Sequence, residues 1–241
     1  MDSRRVTGPA VRVSRAAQAF GYVRTHGEVG LSVILGLQVA IMFVIAPLAA
    51  TGALPAAVVD VFRIGLAAAA LLTLTHGPRA VVLISAPFAL SLALSFTLTH
   101  GLGASAVYLF RLAVTSAFDV AVAVLVARVV FGPGEVTVHR ILGGVILYLS
   151  VGLIFANAYR AALVLLNPSF RGLPPNEHSA LSELLYFSLS TLTTTGFGDI
   201  VPVHPFVRSL ANLEAVIGQL YPATLLARLV TLHAAKRLGS D

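Results

Sequence analysis

Thr193-Thr194-Thr195-Gly196-Phe197-Gly198-Asp199 is the stretch on which the reading of this chain turns. Three hydroxyl residues run into two glycines that flank one aromatic, and an acid follows directly. The run sits between a short apolar segment, Ala180 to Leu192, and a long one that begins near Pro205. Non-helical backbone at membrane depth is tolerated only where it is buried in protein or lines a water-filled path. Turning successive carbonyls toward one side needs residues at positive φ, which glycine adopts at little steric cost. Gly196 and Gly198 alternate with Thr195 and Phe197 as such a ribbon requires. The Thr194 hydroxyl adds one more oxygen at its inner end. The plainer alternative is a Thr/Gly-rich loop joining two helices.

Composition supplies the setting. The chain has 241 residues, of which 57% are hydrophobic and 11% charged, against roughly 25% charged in soluble domains. This is the composition of an integral membrane protein built of helices. There is no cysteine, so disulfides and thiolate metal sites are excluded. No histidine has metal-ligand spacing, and no cofactor is expected. The net charge of +6 lies mostly outside the apolar segments. Arg4, Arg5, Arg12, Arg15 and Arg24 precede the first one. Such an arm suits a cytoplasmic N-terminus better than nucleic acid, and no nucleic-acid partner is expected. Residues 11–23 fit either an interfacial amphipathic helix or a flexible tail, and no cleavable signal peptide is expected at 1–29.

A spanning helix needs about 20 mostly apolar residues. Candidates run from Gly30 to Ala50 (with Pro47 as a kink point), Pro55 to Thr75, Ala80 to Thr99, Ser105 to Phe131, Val138 to Leu166, and Pro205 to Lys236. Gly/Pro-rich turns separate them. Ala180 to Leu192 is too short to span and reads as a re-entrant half-helix, with Pro174, Pro175, Asn176 and Ser179 as its start signals and Glu183 in its first turn. The expected fold is all-α, with six transmembrane helices and a re-entrant segment between the fifth and sixth. The expected divisions are a basic cytoplasmic arm (1–29), four peripheral helices (30–131), a pore-like module (138–236) and a short cytoplasmic tail (237–241). Arginine and lysine in the loops put both termini in the cytoplasm of a cell (plasma or inner) membrane.

From about Val138 onward the chain resembles the pore module of tetrameric potassium channels. The filters of that family are four TVGYG loops whose backbone carbonyls replace the ion's hydration shell. Thr194-Thr195-Gly196-Phe197-Gly198 resembles that signature, with Thr for Val and Phe for Tyr. Gly218 follows Gly198 by the spacing that family members show between the last filter glycine and an inner-helix glycine. The resemblance implies a pore-forming, potassium-selective channel that conducts passively, with K⁺ held at Thr194, Thr195, Gly196 and Phe197. One filter run per chain implies a homotetramer in the lipid bilayer. Thr193, Ser190 and Asp199 would support the filter. Phe197 replaces the usual tyrosine, and the chain has no tryptophan to bond one; packing must therefore hold the filter. Ser190 stands where some relatives have a glutamate, so backbone or hydroxyl donors are expected to hold Asp199.

Other polar residues fall within apolar segments. Gly218 and Pro222 share a weak helical turn, because proline leaves the Gly218 carbonyl unpaired. It reads as a gating hinge, a static kink or a close-packing glycine. Glu214 is expected either to tune cations in the cavity or to be hydrogen-bonded behind the filter. Asp60 and Arg63 are three residues apart and can meet on one face; pairing with Asp119 or Arg111 is the alternative. Arg111 and Arg128 are far apart with Asp119 between them, so weak or no voltage dependence is expected. A less selective monovalent cation channel is the nearest rival. An intramembrane hydrolase built on Ser105 is the rival from another class, but no mid-helix histidine would serve it as base. The chain is not expected to be an enzyme.

Overall fold

The computed structural model describes residues 29–74, 79, 81–82, 85–86, 89–90, 104–132, 138–174 and 180–238. The N-terminal arm through residue 28, most of the third expected helix, His100, Pro175, Asn176, Ser179 and the last three residues lie outside these. So do the side chains of Asp60, His139 and His233.

The described chain is almost entirely helical. Helix α1 covers Val29–Ala50, α2 Ala56–Leu74, α3 Ala104–Phe131, α4 Val138–Leu165, α5 Ala180–Leu192 and α6 Pro205–Leu238. The stops of α3 and α4 have local causes. Gly132 follows α3, and Asn167-Pro168 follows α4, where proline cannot continue a helix. Within α1 the turn Ile41–Ile45 is a π-helix, and the Ala46 amide bonds to the Ile41 carbonyl. Pro47 has no amide to offer the carbonyl four residues before it, and the widened turn absorbs that loss.

One short strand pair accompanies the helices expected of an all-α fold. Phe170–Arg171 (β1) and Val201–Pro202 (β2) pair antiparallel, Phe170 opposite Pro202 and Arg171 opposite Val201. Two-residue strands carry no periodicity to be read from sequence. Their pairing ties the segment after α4 to the segment after the glycine run. Gly172 makes the approach close: it has φ +90, and a Cβ there would fall 1.9 Å from the Asp199 carbonyl oxygen.

Three described helices are long and apolar enough to cross a membrane: Val29–Ala50, Ser105–Phe131 and Arg140–Leu165. The expected count of six is therefore met in part. In α2 the apolar stretch among the described residues is Val61–Leu74. Helix α6 is long, but Arg208, Glu214 and Arg228 interrupt its apolar character. In α3, Thr115, Phe118, Asp119, Val122, Val126 and Val130 are buried at helical spacing, while Val120, Val124 and Val129 are exposed. Being apolar on both faces is what a helix in lipid shows.

Two main cores form. Leu31 and Ile34 of α1, Ala67 and Ala70 of α2, Phe118, Val122 and Val126 of α3 and Ile146 of α4 make the first. Tyr159 of α4 is the centre of the second, with Leu184 and Phe187 of α5, Ile200, and Val207 and Ala211 of α6. Tyr159 and Phe187 meet edge to face at 5.0 Å, and Phe170 meets Phe187 at 5.3 Å; such pairs add about 0.5–1.5 kcal/mol beyond area burial.

A polar chain crosses the first core. Arg63 of α2 pairs with Asp119 of α3 at 3.4 Å, and Asn157 of α4 donates to the same carboxylate at 2.9 Å. Arg160 donates to Asn157 Oδ1 and to the Tyr108 hydroxyl. The structure thus gives the pairing of Arg63 with Asp119, while the Asp60 side chain lies outside the described residues. Arg111 lies at the cavity between α1, α2 and α3 beside Arg63 and Arg160. Removing one partner of a buried pair leaves the other charge uncompensated, at about 3–5 kcal/mol. Asp119→Ala should lower unfolding stability of the purified chain in micelles by about 3 kcal/mol. Val124→Ala on the exposed face should change it by less than about 0.5 kcal/mol.

Candidate functional site

The site is built at the end of α5. The last four carbonyls of any helix lack intrahelical partners and must find others. Here all four do. Leu189 O accepts from the Thr193 amide at 2.9 Å and the Thr193 hydroxyl at 2.7 Å. Ser190 O accepts from the amides of Thr195 (2.8 Å) and Gly196 (3.1 Å), and Thr191 O from that of Thr194 (2.9 Å). Leu192 O accepts from the Tyr148 hydroxyl of α4 at 3.1 Å. The hydroxyl run is thus wound back onto the helix that precedes it, and its position is set by backbone bonds. The Thr193 and Thr195 hydroxyls also bond each other at 2.8 Å.

Beyond this anchor the backbone alternates. Thr194 has φ +57, Gly196 +58 and Gly198 +81, and no residue between them is positive. Changing the sign of φ at every second residue turns successive carbonyls onto one side instead of alternating them as a strand does. The glycines accept this freely. Thr194 does not, at a cost of about 1–2 kcal/mol, and residue types alone predict positive φ only at the glycines. Every residue from Thr193 to Asp199 is exposed in the single chain. A Cβ at Gly196 or Gly198 would meet nothing within 4 Å.

Tyr186 holds the far end of the run. Its ring stacks on Phe197 at 5.6 Å with 13° between planes, and its hydroxyl donates to Asp199 Oδ2 at 2.8 Å. The Ile200 amide donates to Asp199 Oδ1 at 3.0 Å. These are the two kinds of donor expected for Asp199. Sequence reasoning misses Tyr186 itself; its one signal is an aromatic on the half-helix one turn before Ser190. Ser190 does not reach Asp199, since its hydroxyl donates to Phe187 O at 3.0 Å. The bond from Tyr186 holds the Asp199 carboxyl below the usual carboxylate range.

Glu214 and Gly218 lie on the packed stripe of α6, with Val207 and Ala211. Glu214 is fully buried. It accepts from the Tyr159 hydroxyl of α4 at 2.6 Å and is hydrogen-bonded to Ser188 of α5. Of the two settings open to it, the structure gives the hydrogen-bonded one, against α4 and α5. Tyr159 and Ser188 carry no sequence signal, because a buried partner is defined by packing alone. A Cβ at Gly218 would fall 1.8 Å from the Leu192 carbonyl oxygen, so Gly218 is where α6 meets the end of α5. Helix α6 continues unbroken through Pro222, and Tyr221 at that turn donates to Gly144 O of α4 at 2.8 Å. No group of three or more His, Cys, Asp or Glu suited to a metal occurs among the described residues.

Residues 141–234 match the family model described as "Ion channel". No curated protein and no solved structure matches the chain. The matched segment runs from the first turn of α4 through α5 and the glycine run into α6. The match supports an ion channel and the resemblance to the potassium channel superfamily, and together with the long apolar helices it supports a place in a membrane.

The bond to Tyr186 has a pH consequence. A depressed carboxyl contributes stability that is present above its ordinary pKa and lost as pH falls through the depressed one. Tyr186→Phe removes the first cause of that depression. The Asp199 titration, followed by carboxyl-labelled NMR, should then move to higher pH, and the share of the acid loss of stability that Asp199 carries should shrink. An unmoved titration would show that Tyr186 does not hold Asp199.

Proposed function

We propose that this chain is the pore-forming subunit of a potassium-selective channel in the cell membrane, assembled as a homotetramer with both termini cytoplasmic. In this reading six helices span, α5 re-enters, and Thr194, Thr195, Gly196, Phe197 and Gly198 form one quarter of the filter. The observation that carries it is the alternation of positive φ at Thr194, Gly196 and Gly198 in a ribbon anchored to the end of a half-length helix. Such a ribbon supplies a ladder of backbone carbonyls, with the Thr194 hydroxyl below it, to replace the water shell of a dehydrated cation. Its full exposure in one chain supports assembly, because backbone at this depth needs either protein or a water-filled path beside it. Four α5 C-termini would add partial negative charge at the inner side. Asp199, kept ionised, would add negative charge at the outer mouth.

Passive conduction needs no cofactor and no catalytic group. Phe197 is 66% exposed and stacks on Tyr186. A ring held by one such contact favours, as the second reading, a filter of lower K⁺ over Na⁺ preference. Control would not come from an arginine ladder: Asp119 and Arg63 are tied together as a structural pair. A hinge in α6 is better sought at Pro222 than at Gly218, since any side chain at Gly218 collides with Leu192 O.

Gly196→Ala tests the backbone rather than the packing, because a Cβ there finds open space while φ +58 strains it. In liposomes of purified protein with a K⁺ gradient, the wild type should pass K⁺. Gly196→Ala should lower the flux at least about tenfold, as a strained αL residue in the filter would predict. Equal flux from the two would overturn the assignment.

A further inference from the structure

Glu214 is enclosed by its own protomer, with 0% exposure, so neither water nor a neighbouring copy reaches it. No arginine or lysine lies at ion-pair distance from it among the described residues. Among the described residues, the titratable groups that face it are two tyrosines of α4, Tyr159 and Tyr148. Helix α5 presents Ser188. A carboxylate buried among neutral hydroxyls, without a cation, is strongly disfavoured.

The hydrogens can be counted. Ser188 Oγ contacts two oxygens, Gly152 O of α4 at 2.7 Å and Glu214 Oε1. A serine hydroxyl has one proton to donate. Gly152 O is a carbonyl and can only accept. If Glu214 were ionised, both neighbours of Ser188 Oγ would be acceptors, and one contact would hold two lone pairs facing each other. A proton on Glu214 Oε1 resolves the count: Tyr159 donates to Oε2, Oε1–H donates to Ser188 Oγ, and Ser188 donates to Gly152 O. Every hydroxyl then has an acceptor.

We propose that Glu214 is a protonated, uncharged carboxylic acid that acts as a positioning residue, its proton completing a hydrogen-bonded chain that joins α6 and α4 to α5 at Ser188. The chain runs in one direction, Tyr159 to Glu214 to Ser188 to Gly152, and fixes the rotation of α5. Ser188 lies one residue before Leu189 and two before Ser190, whose carbonyls anchor Thr193, Thr195 and Gly196. Rotating α5 would therefore move the start of the ribbon. The protonation state stands on geometry alone; its effect on flux rests on the proposed channel function.

The test compares wild type with Glu214→Gln and Glu214→Ala in the full-length protein. Glutamine is neutral and offers both donor and acceptor, so it reproduces the protonated acid. Infrared difference spectra between wild type and Glu214→Gln at neutral pH should show one buried carboxylic-acid C=O band in the wild type. A carboxylate band in its place would overturn the proposal. Glu214→Gln should keep K⁺ flux within about twofold, while Glu214→Ala, which strands Tyr159 and Ser188, should lower it about tenfold. Glutamine as damaging as alanine, or a glutamine variant that does not assemble, would also contradict it. Were the wild type not to conduct at all, the infrared comparison would still decide protonation, while the proposed function would fail separately.

Discussion

The structure depends on how the end of α5 is satisfied. In lipid, a carbonyl without a partner has no water to turn to, and each one costs several kcal/mol. In the proposed reading α5 re-enters the membrane, and a helix of half the spanning length ends where a spanning one would still be mid-membrane. Its last four carbonyls are answered by Thr193, Thr194, Thr195, Gly196 and Tyr148. Those bonds both close the helix and start the ribbon. The hydroxyl residues before the glycines are thus structural first: they carry the chain from helical to alternating backbone without leaving a polar group stranded.

The rest of the module holds that junction in place from three directions. Gly218 lets α6 approach the Leu192 carbonyl. Glu214, Tyr159 and Ser188 bind α6, α4 and α5 to one another. Tyr186 holds the far end through Phe197 and Asp199, and the β1–β2 pair closes the loop outside it. Phe197, which brings no hydroxyl, is placed by ring stacking. The Arg63–Asp119–Asn157 chain plays a corresponding part among α2, α3 and α4, remote from the ribbon.

Much of this is legible in the sequence, and the reasons are particular. The bounds of α5 follow from prolines before it and hydroxyls and glycines after it. Those of α3 and α4 follow from apolar runs stopped by Gly132 and by Asn167-Pro168. The ribbon itself can be read because positive φ leaves a residue-type signature at Gly196 and Gly198. Thr194 breaks that signature, since its conformation is imposed by the anchoring bonds and not by its own preference. Glu214 can be recognised as an acid within an apolar segment, but not placed: its direction depends on which face of α6 packs, and α6 carries apolar residues on both. Tyr159, Tyr186 and Ser188 matter only through partners that packing brings to them. The short β1–β2 pair is too brief to leave any pattern.

The most direct measurement is an experimental structure of the purified, assembled protein in K⁺. Four copies are expected around one axis, with the carbonyls of Thr194, Thr195, Gly196 and Phe197 turned toward it and ion density between them. A different number of copies, or a ribbon facing lipid or the protein interior with no density on the axis, would contradict the assignment of this stretch as a filter.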